Sequence, residues 1–144
     1  MNTTFKEFKE QIVDMGFEED EILNDSEYGR VIRNAVNRAQ DVIYTTVALQ
    51  IENFLLLYDN DWEMPEDVKH IDAPTKITTS TKDTFNMPLS TFLMPLLPLL
   101  TAYYVWLDDD INKATMYYNQ YDTMKNELLN VAMKPRMATI EGGF

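Results

Sequence analysis

Phe92-Leu93-Met94-Pro95-Leu96-Leu97-Pro98-Leu99-Leu100-Thr101-Ala102-Tyr103-Tyr104-Val105-Trp106-Leu107 runs without a charge, and Asp108-Asp109-Asp110 closes it. Proline is accepted in a first helical turn, where its missing N–H has no partner to lose, so Pro98 starts a helix that ends near Leu107. Three carboxylates sit poorly at the negative end of that helix and well at the positive end of a following one, which places a turn at the aspartates. From Ile111 onward Ala114, Tyr117, Tyr118, Tyr121, Met124, Leu128 and Val131 recur at three- and four-residue spacing, the mark of one helical face. Asn112, Lys113, Asn119, Gln120, Asp122, Lys125 and Asn126 fall on the other face. Two helices joined by a short polar turn lie antiparallel, so Tyr103, Trp106 and Leu107 are expected to meet the tyrosine stripe. Such a hairpin needs further helices to cover it.

The longest periodic segment supplies one. After Asp25 or Ser26 as cap, the residues Tyr28, Ile32, Ala35, Ala39, Val42, Ile43, Val47, Ile51, Phe54 and Tyr58 form a continuous stripe. Roughly 30 residues at the α-helical rise make an element near 45 Å long. Arg30, Arg33 and Arg38 lie on its polar side with Asn34, Asn37 and Asp41, a small basic face in an acidic chain. A solvated surface with weak local pairs, such as Arg38 with Asp41, accounts for them. The sharper alternative is a subunit or partner contact in which the arginine forks receive carboxylates from a neighbour's acidic loops. Before this helix, Thr4-Phe5-Lys6-Glu7 has capping-box form, Phe5, Phe8, Ile12 and Met15 follow at helical spacing, and Gly16 is a natural stop. Glu18-Glu19-Asp20-Glu21 then reads as a solvated loop or one further acidic turn.

From Asp59 the helical pattern fails. Pro65, Pro74 and the β-branched run Lys76-Ile77-Thr78-Thr79-Ser80-Thr81-Lys82-Asp83-Thr84-Phe85 predict one or two short strands. The fold class is therefore mainly α: a helical bundle with one long central helix, a C-terminal helical hairpin and a short β-strand or hairpin insertion. The expected division is a helical body over residues 1–133, with the insertion at about 62–90, and a flexible C-terminal tail over 134–144. Met137, Ile140 and Phe144 are the candidate anchors in that tail.

A chain of 144 residues, 45% of them hydrophobic, buries a core without metals or disulfides. The lack of cysteine excludes a disulfide scaffold, thiolate zinc sites and a cysteine nucleophile. A net charge of −12 argues against non-specific binding to DNA or anionic membranes and suits a partner with a basic surface. The start Met1-Asn2-Thr3-Thr4-Phe5-Lys6-Glu7 lacks the basic-then-apolar order of a signal peptide, so no export is expected. Prolines, Ser90, Thr91 and Thr101 interrupt residues 87–107, and no Lys or Arg flanks them closely, so no membrane span is expected there.

Asp59-Asn60-Asp61-Trp62-Glu63 begins like a calcium loop, but Met64 replaces the turn glycine and His70 stands where the bidentate glutamate belongs. His70 is the only histidine, which removes the histidine-rich metal sites of helical bundles. Asp108, Asp109 and Asp110 could hold magnesium, but a polar turn and helix cap explains them. No glycine-rich phosphate loop and no serine with a plausible base appears, so no cofactor, metal or catalytic residue is assigned and an enzyme is not expected. The tyrosines at 103, 104, 117, 118 and 121 could stack on bases, yet they lack the surrounding positive charge of such sites. A packed core with phenols at its rim fits them better.

Three stretches together resemble the head-to-tail adaptor proteins of tailed bacteriophages, also called connector or head-completion proteins. They are the long helix before Tyr58, the segment Trp62-Glu63-Met64-Pro65-Glu66-Asp67 and the hairpin from Leu96 to Leu128. In the hairpin the resemblance rests on Leu97-Pro98, on Ala102 through Asp110, on Lys113-Ala114, and on Tyr117-Tyr118 with Tyr121. It implies a mainly helical structural protein without catalytic residues, forming a homo-oligomeric ring with a dodecamer as the expected copy number. The implied partners are the portal protein and the tail or a second connector protein. The implied location is the head–tail junction of the virion, after synthesis in the bacterial host cytoplasm. DNA would pass through the ring without specific binding, and an acidic channel suits this because it does not hold phosphates. The resemblance makes the long helix and hairpin the ring-forming body and the threonine-rich insertion a contact toward tail or neighbour. It makes the C-terminal tail a clasp on the portal. It leaves out the N-terminal helix. The alternative, which rests on charge alone, is a small acidic inhibitor or DNA mimic that binds a basic partner.

Overall fold

The computed structural model describes residues 3–58 and 74–142, with side chains described for 3–54 and 74–133. Thr4 opens α1 (Phe5–Val13) with the expected capping box: its hydroxyl accepts from the Glu7 amide at 3.2 Å, and Glu7 Oε1 accepts from the Thr4 amide at 3.2 Å. The other first-turn donors are satisfied from far along the chain. Phe5 N–H donates to the Phe85 carbonyl at 2.7 Å and Lys6 N–H to the Asp83 carbonyl at 3.2 Å. Phe5, Phe8 and Ile12 are fully buried, so the helix that lies outside the family resemblance belongs to the core.

Gly16 ends this element at a φ of 96°, a conformation that costs a residue with a Cβ, and its N–H donates to the Val13 carbonyl at 3.1 Å. The turn lays Phe17 on Trp106, with ring centroids 6.1 Å apart, and the Lys113 ammonium stands 3.9 Å from the same indole.

A single 3₁₀ turn, Glu21–Leu23, precedes α2 (Glu27–Ile43), whose cap is Ser26 accepting from the Gly29 amide at 3.0 Å. Helical backbone continues through a π-helical turn, Tyr44–Ala48, into α3 (Leu49–Tyr58), so the long helix read from the stripe is present with a widened turn inside it. Thr45 and Thr46 sit in that turn. Their hydroxyls donate back to the carbonyls of Asp41 and Val42 at 2.9 and 2.6 Å, competing with the backbone ladder for acceptors. The buried stripe also lies slightly rotated from the expected one: Tyr28 is exposed, while Gly29, Arg33, Val36 and Gln40 are buried beside Ile32, Ala39 and Ile43.

The centre of the molecule is α4 (Leu96–Trp106). Every residue from Leu96 to Ala102 is buried, and Val105 with them, as an almost unbroken apolar helix requires. Around it pack α1, α2 and the last helix, α5 (Ile111–Gly142). Pro98 lies in the first turn of α4, as expected. The amides of Asp109 and Asp110 donate to the Trp106 carbonyl at 3.2 and 2.8 Å to close the turn, and the Asp110 carboxylate caps α5 by accepting from the Lys113 amide at 3.1 Å. Tyr103 meets Tyr118, with centroids 5.0 Å apart, while the earlier Leu99 shares a groove with the later Met124, so the hairpin is antiparallel. No helix among the described residues is long and apolar enough to cross a membrane.

One expectation requires correction. Residues 74–90 form no strand; their β character is one isolated bridge between Thr4 and Asn86, flanked by Met87 N–H donating to the Thr3 carbonyl at 2.8 Å. The threonines turn the chain locally instead. Thr81 Oγ1 accepts from the Thr78 amide at 2.9 Å and Thr78 Oγ1 from the Ser80 amide at 3.2 Å, giving the backbone an alternative to a ladder. The rest of the expected insertion, with Asp59 to Glu63 and His70, lies outside the described residues. At the other end, the backbone of α5 is helical from Ile111 through Pro135 to Gly142.

Candidate functional site

The arginines read from the sequence as one basic face are placed in three different environments. Arg30 is exposed on α2. Arg33 is buried, at 8% exposure, and its Nη1 donates to the carbonyls of Ile22 at 2.8 Å and Asn24 at 2.6 Å, holding the 3₁₀ turn against α2. Gly29 permits that approach, since a Cβ there would come within 2.3 Å of the Asn24 carbonyl oxygen. Arg38 stands 4.4 Å from the centroid of the Tyr104 ring. Asn37, expected beside the arginines, is engaged as well, and so is Gln40, which the sequence reading did not place there. Asn37 accepts from the Ile77 amide at 2.7 Å and donates to the Ile77 carbonyl at 3.1 Å, and Gln40 donates to the Thr75 carbonyl at 3.4 Å.

Arg38 and Lys125, whose ammonium lies 5.8 Å from the Tyr121 ring centroid, are positive members of an aromatic surface. Tyr104 and Tyr103 lie 5.0 Å apart, Tyr103 and Tyr118 also 5.0 Å, and Tyr118 and Tyr121 5.9 Å, all tilted rather than face to face. Burial raises the Tyr104 phenol pKa, opposed by the Arg38 charge. Burial likewise raises that of Tyr121, opposed by a hydrogen bond with Thr46. The turn in the long helix thus meets the hairpin. Tyr118, 40% exposed, presents the outer edge of the cluster. Exposed tyrosine and arginine on rigid helices is the composition of interface hot spots.

Asp108, Asp109 and Asp110 are exposed. Burial and then the charges of Glu21 and Asp109 raise the Tyr28 phenol pKa, which places the aspartate turn beside the acidic residues that precede α2. Lys113 stands at the same turn, its amide donating to the Asp110 carboxylate and its ammonium 3.9 Å from the Trp106 ring. Among the described residues no three His, Cys, Asp or Glu side chains gather as a metal site. Met137 and Ile140 fall on the helical backbone of α5, but their side chains lie outside the described residues, as does Phe144 altogether.

Two features were not read from the sequence. Lys9 is buried on the core side of α1, donating to Asp20 at 2.9 Å and paired with Asp83 at 2.7 Å. Its signal was available, because Phe5, Phe8, Lys9 and Ile12 follow the i, i+3, i+4, i+7 rule and place it on the apolar face. Arg33 carries the same signal between Ile32 and Val36. The second feature is a groove of about 670 Å³ between the end of α1 and the middle of α5, floored by Met15, Pro95, Pro98, Leu99 and Met124. It arises from the spacing of two helices that both pack on α4, which no local pattern encodes. Comparison of the chain with protein-family models, with curated proteins and with solved structures finds no match.

Proposed function

We propose that the chain is a structural subunit of a tailed-bacteriophage connector, in which copies form a ring that joins the portal of the head to the tail and extends the DNA channel. The observation that carries this reading is the hairpin. The hairpin residues that carry one of the three stretches of the family resemblance form α4, the aspartate turn and the first half of α5, and the long helix of the second stretch packs on them, while the third, Trp62 to Asp67, lies outside the described residues. Two further features support it. The Arg38–tyrosine surface is a rigid patch suited to a neighbouring subunit. The net charge of −12 and the exposed Asp108, Asp109 and Asp110 suit a channel wall along which DNA slides without being held. In this reading the protein resides at the head–tail junction of the virion.

Native mass measurement on the chain mixed with its cognate portal tests the proposal. The portal mass should rise by about one chain per portal subunit, and Arg38→Glu should lower that occupancy while leaving the helical circular dichroism unchanged. A portal that gains no mass, while the chain inhibits a basic nucleic-acid-binding enzyme, would instead establish the acidic-mimic reading.

A further inference from the structure

Between α2 and α5 the last turns of α4 come to the surface, with Tyr103 and Tyr104 half-buried. Arg38 of α2 stands beside Tyr104 and Tyr118 of α5 beside Tyr103, so the guanidinium and the exposed phenol flank the two α4 tyrosines on opposite sides. Val31 lies seven residues before Arg38, and Ile111 seven before Tyr118. Each therefore shares the face of its helix with the later residue, about 10 Å nearer the aspartate turn. Val31 is 42% exposed, Tyr118 40% and Ile111 59%. Three open apolar side chains around one aromatic cluster form a patch of the kind a partner covers.

The charges beside the patch are left open by the chain itself. Arg38 makes no ion pair among the described residues, although Asp41 is three residues away, whereas Lys125 is joined to Asp122 at 3.1 Å. Asp108 and Asp109 are exposed and equally without an ion pair among the described residues, since the Lys113 ammonium is turned onto Trp106. The arrangement is diagonal. Arg38 is on the α2 side and away from the turn, while the two carboxylates are at the turn that leads into α5. Tyr118 and Val31 occupy the other diagonal. A two-fold axis through the middle of the surface exchanges opposite corners, which sets arginine against aspartate and tyrosine against valine.

We infer that two copies of the chain pair through this surface about such an axis, Arg38 of each receiving Asp108 and Asp109 of the other, and Tyr118 of each covering Val31 of the other. Held over Tyr104, the guanidinium keeps its donors for a carboxylate. The inference rests on the Arg38–tyrosine surface being a contact between copies, and it names what that surface receives. A contact of this symmetry closes at two copies. The pair is therefore the form of the free chain, and assembly on a portal exchanges it for the contacts of the ring.

Sedimentation velocity of the full-length chain, with no portal present, tests this. Wild-type protein should run as a dimer, and no larger, at about 0.1 mM. Arg38→Glu and the Asp108→Lys/Asp109→Lys pair should each weaken dimerisation about tenfold or more, because the symmetry repeats every change. An equimolar mixture of the two variants should recover the dimer, since both of its charged contacts then join opposite signs. Lys6→Glu, at an exposed position on α1, changes the net charge as Arg38→Glu does and should shift dimerisation by less than about twofold. Circular dichroism checks that each variant remains folded. The inference is overturned if the wild type stays monomeric or grows beyond two copies, if either charge variant dimerises like wild type, if the mixture fails to recover the dimer, or if Lys6→Glu is as damaging as Arg38→Glu. A chain that never dimerises yet adds to the portal would overturn it and leave the connector reading standing.

Discussion

Replacing Arg33 with methionine should destabilise the monomer, although Arg33 shares its helix with two arginines that are exposed. The side chain is 8% exposed and its Nη1 makes two short bonds, 2.8 Å to the Ile22 carbonyl and 2.6 Å to the Asn24 carbonyl. Hydrogen bonds from a charged donor contribute about 1.5–3 kcal/mol each. The Ile22 bond is buried and counts in full; the Asn24 bond is part-buried, and water replaces it in part. The expected loss is about 2–4 kcal/mol, with methionine filling the space of the alkyl stem. With a urea m-value near 2 kcal/mol/M, a loss of about 3 kcal/mol lowers the midpoint by roughly 1.5 M. Arg33→Lys should recover about half, because an ammonium keeps the charge but not the planar fork. The assay is urea unfolding followed by far-UV circular dichroism, with Arg30→Met as the exposed control. An Arg33→Met protein within about 0.5 kcal/mol of wild type, or no worse than the Arg30 control, would refute the assignment. The same geometry dictates that charge reversal at position 33 reports folding, so assembly is tested at Arg38 and Arg30 alone.

Three other substitutions probe the same packing. Gly29→Ala should cost about 2–3 kcal/mol in urea unfolding, the reverse of the usual gain for alanine inside a helix, because its Cβ would lie 2.3 Å from the Asn24 oxygen and 2.6 Å from the Glu21 oxygen. Thr101→Val should stabilise by about 1 kcal/mol, since the Thr101 hydroxyl is among the described buried polar atoms with no hydrogen-bond partner; a loss of stability would show that the hydroxyl is used. Lys9→Met should cost about 1–2 kcal/mol at neutral pH, held to that size because its carboxylate partners are exposed. Burial lowers the Lys9 pKa, but the bonds to Asp83 and Asp20 outweigh it and raise the value above 10.5. The raised folded-state value means that the contribution is complete below pH 10.5 and fades as pH climbs through the folded-state pKa. Unfolding curves of wild type and variant should therefore converge in strongly alkaline buffer and stay apart near neutrality.

The elements with local chemistry were legible. Thr4 and Glu7 form their capping box, Gly16 stops the first element, Ser26 caps α2, Pro98 lies in the first turn of α4 and Asp110 caps α5. Each is decided within a few residues, by a side chain and the backbone groups beside it. What escaped depends on distant neighbours. Arg33 and Lys9 are charged and so were assigned outward, or passed over, but both occupy apolar-face positions where carbonyls or carboxylates from other segments receive them. The threonine-rich run has strand propensity, yet among the described residues only 3–6 offer it backbone partners from another segment, and its hydroxyls settle into turns. The π turn in the long helix follows from two adjacent threonines that bond backward, and Pro135 does not end α5. For the candidate surface, the tyrosines were visible as a stripe; their association with Arg38 required the packing of α2 on α4.

The central claim is tested most directly by imaging the chain mixed with its cognate portal by negative-stain microscopy. The account predicts a second ring on the portal, sharing its rotational axis, with density for one chain beside each portal subunit. A bare portal, with the chain remaining a monomer or dimer in the same mixture, would contradict it.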